Sequence, residues 1–195
     1  MDIFAFGNGP SLANAPLHLL ENEVTWGIGE LMLWDKLPIT PTYFTVTRQG
    51  WNTQMRHMRP ETQVVLACDL DLVAEFGGRV PTTIISRRRR LEDGYCSDDP
   101  TWVAGSDSLA LSAAVQPAMW MRPEHIFLLG QDYTKDGVVH YKGNVRRAGD
   151  WGPEGSHRAR VEEALRILYD RCYRLGISLV NLTDPPGDDV LPQDT

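Results

Sequence analysis

Residues 6–11, with the sequence Phe-Gly-Asn-Gly-Pro-Ser, have the composition in this chain that is best suited to ligand binding. Glycines let a ligand approach the backbone closely, and a helix that begins at Pro10 would add the positive end of its dipole. The Asn8 amide can donate and accept hydrogen bonds. The residues predicted to hold a phosphorylated ligand are Gly7, Asn8, Gly9, Pro10 and Ser11. A tight turn that binds no ligand is the alternative.

Two further polar stretches resemble ligand-binding positions by their place after apolar segments. Ser106, Asp107 and Ser108 precede an alanine-rich helix, where hydroxyls and helix-start amides suit an anion or a ribose. Gly130 and Gln131 follow the apolar run 126–129. We predict that both stretches contact the same ligand, although plain helix capping would also explain the first.

Candidate catalytic residues lie in or just after the loop that follows Gly130. Asp132, His140 and His157 combine a carboxylate with imidazoles, the usual general acids and bases near neutral pH. Arg88, one of four adjacent arginines, and Arg146 are the candidate phosphate contacts, because guanidinium groups bind phosphate in a bidentate manner. A solvated loop beside acidic residues is the other interpretation of the arginine run.

The sequence predicts no resident metal ion. Asp69 and Asp71 form a D-x-D pair after an apolar strand and could hold Mg²⁺ on a pyrophosphate. Asp69 equally suits a helix N-cap. The chain has three cysteines, at positions 68, 96 and 172, with no C-x-x-C spacing. This pattern predicts free thiols in a reducing compartment rather than a zinc site.

Strand-like and helix-like segments alternate along the chain. Apolar, β-prone runs predict strands at 2–6, 24–28, 43–47, 63–68, 82–86, 126–129 and 177–182. Helices are predicted from Pro10 to Leu20, from Ser106 or Asp107 towards Trp120 with a kink or early end at Pro117, and from Ser156 to a stop at Gly176. The pattern predicts an α/β fold of Rossmann-like type, with a mostly parallel sheet and helices on both faces.

One domain, residues 1–183, accounts for nearly the whole chain of 195 residues, and a flexible tail is expected at 184–195. We expect a lid or long loop at 87–105 and another loop at 131–155. The net charge of −7 argues against an extended nucleic-acid face. No apolar run is long enough to cross a membrane and the N-terminus lacks a signal-peptide pattern, so the expected location is the cytoplasm.

The opening strand and turn, residues 3–12, resemble those of the bacterial sialyltransferases of glycosyltransferase family 42. They are even more similar to the Rossmann-like relatives of that family in flagellin-modification loci and phage genomes. Three later blocks resemble the family in the same order: residues 105–108 with the following helix, residues 126–133 with Gly137 and His140, and residues 156–183. The resemblance spans most of the chain, and the order of the blocks is more specific than any one of them.

The resemblance implies an enzyme that transfers a sugar from a nucleotide donor, often a CMP-sugar, to a hydroxyl acceptor without a metal. It implies that His157 is the general base and that His140 stabilises the leaving phosphate. It also implies that Asn8, the 106–108 segment and the Gly130 region contact the nucleotide. The chain departs from the family where strand two ends at Gly29 and strand three at Thr47, positions at which relatives carry Asn or Asp.

Several alternatives stay open at this point. A diphosphate-transferring kinase of the pterin type would use ATP and Mg²⁺, and a catalytically inactive nucleotide- or nucleic-acid-binding module would keep only the fold. If the gene is carried by a phage, the location would be the bacterial host cytoplasm. No tightly bound cofactor is expected, the acceptor would be a glycan or a modified nucleobase, no membrane partner is expected, and self-association into a homo-oligomer is left open.

Overall fold

The computed structural model of the chain describes residues 1–29, 31, 37–47, 57–68, 82–88, 96–97, 102–104, 110–131 and 156–183. Within these ranges one sheet of eight strands organises the fold. The strands are β1 (Asp2–Phe6), β2 (Val24–Ile28), β3 (Tyr43–Thr47), β4 (Gln63–Cys68), β5 (Thr82–Arg88), β6 (Trp102–Ala104), β7 (His125–Leu129) and β8 (Ser178–Asn181).

The strand order is β6-β5-β4-β3-β2-β1-β7-β8, and each neighbouring pair is parallel. The predicted α/β, Rossmann-like class is therefore confirmed. Because all strands run the same way, their carboxyl ends lie along one edge, called here the carboxyl edge, and their starts lie along the opposite amino edge. Sequential strands extend from β1 to β6 on one side, and β7 then adds on the other side of β1.

The predicted lid at 87–105 is wrong at both of its ends. Arg87 and Arg88 belong to β5, and Trp102–Ala104 forms β6 beside them, with Arg88 paired to Ala104. Sequence reasoning missed β6 because three residues give no measurable alternation. Pairing with a neighbouring strand, rather than intrinsic propensity, makes such a short segment a strand.

The single helix predicted from Pro10 to Leu20 is also wrong. The structure has two short 3-10 helices, Pro10–Asn14 and Leu17–Leu20. Ala15 between them is extended, with ψ of 139°. The ring of Pro16 disfavours helical geometry in the residue before it, so the helix is interrupted there. Leu12 and Leu17 nevertheless pack against the sheet and are buried.

A helical segment crosses the other face of the sheet. It is π-helical at Leu111–Val115 and continues into α1 (Gln116–Trp120). Of the two effects predicted for Pro117, a kink or an early end, the early end does not occur. Pro117 has no N–H for the Ala113 carbonyl four residues earlier. That carbonyl instead accepts a hydrogen bond from the Thr45 hydroxyl at 2.5 Å. The Trp26 indole N–H donates in turn to Thr45 Oγ1 at 2.9 Å. A polar chain thus ties this segment to β2 and β3.

The last helix, α2 (Ser156–Arg174), agrees closely with the sequence. Its apolar face is buried at Val161, Ala164, Leu165, Leu168 and Cys172 and partly buried at Leu175. Gly176 follows with a positive φ of 72°. The Gly176 N–H donates to the Tyr173 carbonyl and the Ile177 N–H to the Cys172 carbonyl, the pair of bonds of a Schellman motif. This turn directs the chain into β8.

Two apolar clusters form the core, one on each face of the sheet. Alternate residues of each strand point to opposite faces, so β1 contributes Ile3 and Ala5 to one cluster and Phe6 to the other. The helical segment 111–120 and α2 cover the first face, and the 3-10 helices cover the second. No helix within the described ranges combines the length and the apolar composition needed to cross a membrane.

Candidate functional site

The carboxyl ends of β1 and β7 adjoin at the point where the strand order changes direction. Phe6, the last residue of β1, pairs with Leu129, the last residue of β7. Ligands of open α/β sheets bind beyond the carboxyl ends of strands at such a switch point. The structure therefore brings residues 7–9 and 130–131 together, as the sequence indicated, at the position where a site is expected.

The turn after β1 is locked to the end of β7 by backbone hydrogen bonds. The Gly7 N–H donates to the Leu129 carbonyl at 2.7 Å, and the Gly9 N–H donates to the Gly130 carbonyl at 2.8 Å. These two amides face the neighbouring strand and are already paired. The prediction that they receive an anion is wrong, because the parallel ladder continues past the strand ends.

The glycines of this turn have a packing role. A Cβ on Gly7 would lie 2.2 Å from the Gly130 carbonyl oxygen, closer than any side chain allows. Gly130 has φ of 68°, and a Cβ there would lie 3.1 Å from Leu12 Cβ. The two turns thus need glycine to approach each other and the first 3-10 helix.

The helix start at this edge is weaker than the sequence suggested. Pro10–Asn14 is a 3-10 helix of five residues, and its N-cap, Gly9, is extended and provides no side-chain cap. A dipole summed over so few peptide units is small compared with that of a full α-helix. An anion site built on this helix start has little support.

Asn8 is the polar group of this turn that stays available. Its Oδ1 is buried and accepts no hydrogen bond. A buried acceptor without a donor costs roughly 1–3 kcal/mol, so proteins rarely keep one without a reason. A ligand that brought an N–H or O–H to this oxygen would recover that free energy.

The end of β8 supports the turn after β7. The Gln131 N–H donates to Thr183 Oγ1 at 3.0 Å, and the Thr183 N–H donates to Asn181 Oδ1 at 3.1 Å. Gln131 and Thr183 are both buried. Sequence reasoning treated residues 181–183 only as the end of a strand. Polar residues directly after an apolar strand were the signal that could have placed them at this edge.

Ser11 is half-buried in the first 3-10 helix, next in the chain to Pro10 at the carboxyl edge. Arg88, by contrast, ends β5, which lies four strands away from β1 in the sheet order. At about 4.8 Å per strand this is roughly 19 Å, more than an arginine side chain spans. A phosphate contact from Arg88 would therefore need a ligand that extends along the edge.

Most of the predicted catalytic and phosphate-binding residues lie outside the described part of the chain. His157 is the second residue of α2. The predicted residues outside the described ranges are Ser106, Asp107, Ser108, Asp132, His140, Arg146, Asp69 and Asp71. Of these, Asp132 directly follows Gln131 in the sequence, and His140 and Arg146 lie between it and α2.

Cys172 and Cys96 are free thiols, as the sequence predicted. Burial of Cys172 in the first core cluster, with a smaller contribution from the nearby Cys96 thiol, raises its pKa to about 12. A thiol with that pKa is protonated at neutral pH and is not a nucleophile. Its role is packing rather than catalysis.

Comparison with protein-family models, with curated proteins and with solved structures returned no match to this chain.

Proposed function

We propose that the chain binds a nucleotide-sugar at the carboxyl edge between β1 and β7 and transfers the sugar to a hydroxyl acceptor without a metal ion. The position supports the binding part of this proposal, because the switch point of an open parallel sheet is the usual ligand site. The ordered resemblance to the sialyltransferases supports the reaction. The acceptor class is a glycan or a modified nucleobase.

The observation that carries the proposal is the buried, unpaired Oδ1 of Asn8. Such an oxygen needs a hydrogen-bond donor, and nucleosides offer donors in the ribose hydroxyls and in exocyclic amines such as that of cytosine. Glycosyl phosphates without a base have hydroxyls but no exocyclic amine. A cytidine-bearing donor therefore matches both the chemistry of Asn8 and the resemblance.

Because the Gly7 and Gly9 amides are paired within the fold, the phosphate needs other partners. Arg146 and His140, which follow β7 in the sequence, are the residues we assign to the phosphate. In the reaction, Asp132 or His157 takes the proton of the acceptor hydroxyl, and the acceptor oxygen forms a bond to the sugar. The sugar–phosphate bond breaks, and the nucleotide leaves with its phosphate charge stabilised by the cationic groups.

Titration calorimetry with CMP, UMP, GMP and ATP, each with and without Mg²⁺, tests the binding step. Asn8→Ala should weaken the best ligand at least about tenfold, the equivalent of one charge-neutral hydrogen bond of about 1.4 kcal/mol. Asn14→Ala is the matched control, since Asn14 is exposed and lies in the 3-10 helix that follows the Asn8 turn. A panel without any binder, or equal affinity in Asn8→Ala and wild type, would overturn the proposal.

Donor turnover in the presence of a chelator tests the reaction. CMP-sugar should be consumed without added metal, and His157→Ala and His140→Ala should each lower the rate about 100-fold or more. Binding without turnover would leave a nucleotide-binding module. Strict dependence on Mg²⁺ and ATP would instead assign diphosphate transfer, with Asp69 and Asp71 as metal ligands.

A further inference from the structure

The amino edge of the sheet gathers three metal-ligating side chains, from residues that the proposed function does not use. Asp2 begins β1 and pairs in register with His125, the first residue of β7, and Glu124 precedes His125. One ligand atom from each of the three lies within 4.8 Å of the other two. The site is about 13 Å from the carboxyl edge, given four residues at about 3.3 Å each along β1.

We propose that Asp2, Glu124 and His125 bind a divalent first-row transition metal ion, with Zn²⁺ as the representative ion. An imidazole nitrogen with two carboxylates is a donor set that suits such ions. The trio contains no thiolate, the ligand that would select softer metal ions. Three protein ligands leave at least one coordination position for water. The inference is independent of the proposed function, because it concerns the opposite edge.

Backbone pairing holds the ligand-bearing residues in place. Beyond the Asp2–His125 register pair, the Glu124 N–H donates to the Met1 carbonyl at 2.9 Å. The Glu124 carbonyl accepts from the Ser178 N–H, also at 2.9 Å. The site is thus built on three adjacent strands, β8, β7 and β1, and not on a loose loop. A rigid backbone lowers the entropy lost when ligands are fixed around an ion.

The imidazole of His125 also has a fixed orientation. Its ring stacks on Phe127 with centroids 5.6 Å apart and planes 14° apart, and Phe127 stacks on Phe4 at 4.9 Å. His125 Nδ1 lies 2.9 Å from Asp2 Oδ1. Two ligands of a tetrahedral zinc ion lie roughly 3.3 Å apart, so this pair already has nearly the required spacing.

Glu124 supplies the adjustable ligand. Its side chain is 79% exposed, so it can rotate towards the other two without disturbing the core. The Met1 amine lies 3.9 Å from Glu124 Oε1, and the metal would replace it as the partner of that carboxylate. Asp2 and His125 are partly exposed, so an ion can enter from solvent.

Titration calorimetry of the full chain with Zn²⁺ tests the site. His125→Ala and Glu124→Gln should each weaken Zn²⁺ binding by more than about tenfold, since even groups that only orient a ligand contribute about 10- to 100-fold. His18→Ala and His57→Ala are matched controls, because both histidines are exposed and neither belongs to the trio. Glu124→Gln keeps the test valid if His125→Ala folds poorly.

A second experiment distinguishes this site from one formed by residues 132–155. His140→Ala should leave Zn²⁺ affinity unchanged, and Zn²⁺ should raise the melting temperature of wild type but not of Glu124→Gln. No Zn²⁺ binding by the wild type would overturn the proposal, as would unchanged affinity in His125→Ala and Glu124→Gln or loss of binding in His140→Ala.

Discussion

The two ends of the β1–β7 strand pair differ in the groups that make their contacts. At the carboxyl edge, the turns after β1 and β7 press together through glycines and pair their own backbone groups. At the amino edge, Asp2 and His125 extend partly into solvent and pair with each other through side chains. The carboxyl edge is thus closed by backbone contacts, whereas the amino edge presents side chains to solvent.

The difference shows that a glycine-rich turn at a strand end need not be a phosphate cradle. Its amides point inward when a neighbouring strand ends at the same level, as Phe6 and Leu129 do. A ligand at such a turn must then be bound by side chains, and here that side chain is Asn8. Substitutions of Gly7, Cys172, Gly176 and Asn8 test how strongly the carboxyl edge depends on backbone contacts and how strongly the amino-edge side depends on local conformation.

Gly7→Ala should have the largest effect. Its Cβ would lie 2.2 Å from the Gly130 oxygen and 2.8 Å from the Gly130 carbonyl carbon, both backbone atoms that cannot rotate away. We expect a loss of about 3 kcal/mol or more in the free energy of unfolding, measured by urea denaturation. A loss below about 1 kcal/mol would show that the two turns separate easily, and that the carboxyl edge is not closed as described.

Cys172, near the end of α2, makes the free energy of unfolding depend on pH. The Cys172 carbonyl accepts a hydrogen bond from the Ile177 N–H in the turn that leads to β8. Burial raises the pKa of the Cys172 thiol from 9.0 to about 12. Between these values the unfolded chain loses the thiol proton while the folded chain keeps it, so stability falls as pH rises. The expected slope from this group is about 1.4 kcal/mol per pH unit.

Urea denaturation between pH 8.5 and 10.5 measures that slope. Cys172→Ala should remove it, whatever the variant costs at neutral pH. Cys96→Ala should keep most of it, because desolvation is the larger cause of the raised pKa. Equal slopes in wild type and Cys172→Ala would mean that the thiol already ionises freely in the folded state.

Gly176→Ala should cost less than Gly7→Ala, although both replace a glycine with the same side chain. No atom lies within 4 Å of the added Cβ, but φ is 72°, where an L-residue is strained by about 1–2 kcal/mol. Gly176→Asn should cost less still, since Asn tolerates this conformation. Thermal denaturation of the three variants should rank Gly7→Ala as the least stable; a larger loss in Gly176→Ala would reverse the comparison.

Asn8→Ala should have the smallest effect on stability, with the opposite sign. Removing a buried acceptor that has no donor should leave the free energy of unfolding unchanged or raise it by up to about 1 kcal/mol. Asn14→Ala, an exposed asparagine of the 3-10 helix that follows the turn, serves as the reference. A loss above about 1 kcal/mol would show that Asn8 supports the fold, and its case as a ligand group would fail.

Much of the fold was predictable because it depends on local periodicity. The bounds of β1 to β4 follow from apolar, β-prone runs, and the apolar face of α2 follows from helical spacing; both signals are local and can be read in a single sequence. The segments that failed depend on neighbours instead. β6 exists through pairing with β5, and the helix after Gly9 divides because Pro16 acts on Ala15.

The sequence by itself determined the parallel α/β class, the gathering of polar turns at one edge and the free thiols of Cys96 and Cys172. Only the tertiary structure decided that the Gly7 and Gly9 amides donate to the carbonyls of Leu129 and Gly130, because the level at which two strands end is set by their register and not by either strand alone. It also decided the meeting of Asp2 with His125, which lie 123 residues apart. Contacts at that separation follow from the strand order of the sheet, which no local pattern encodes.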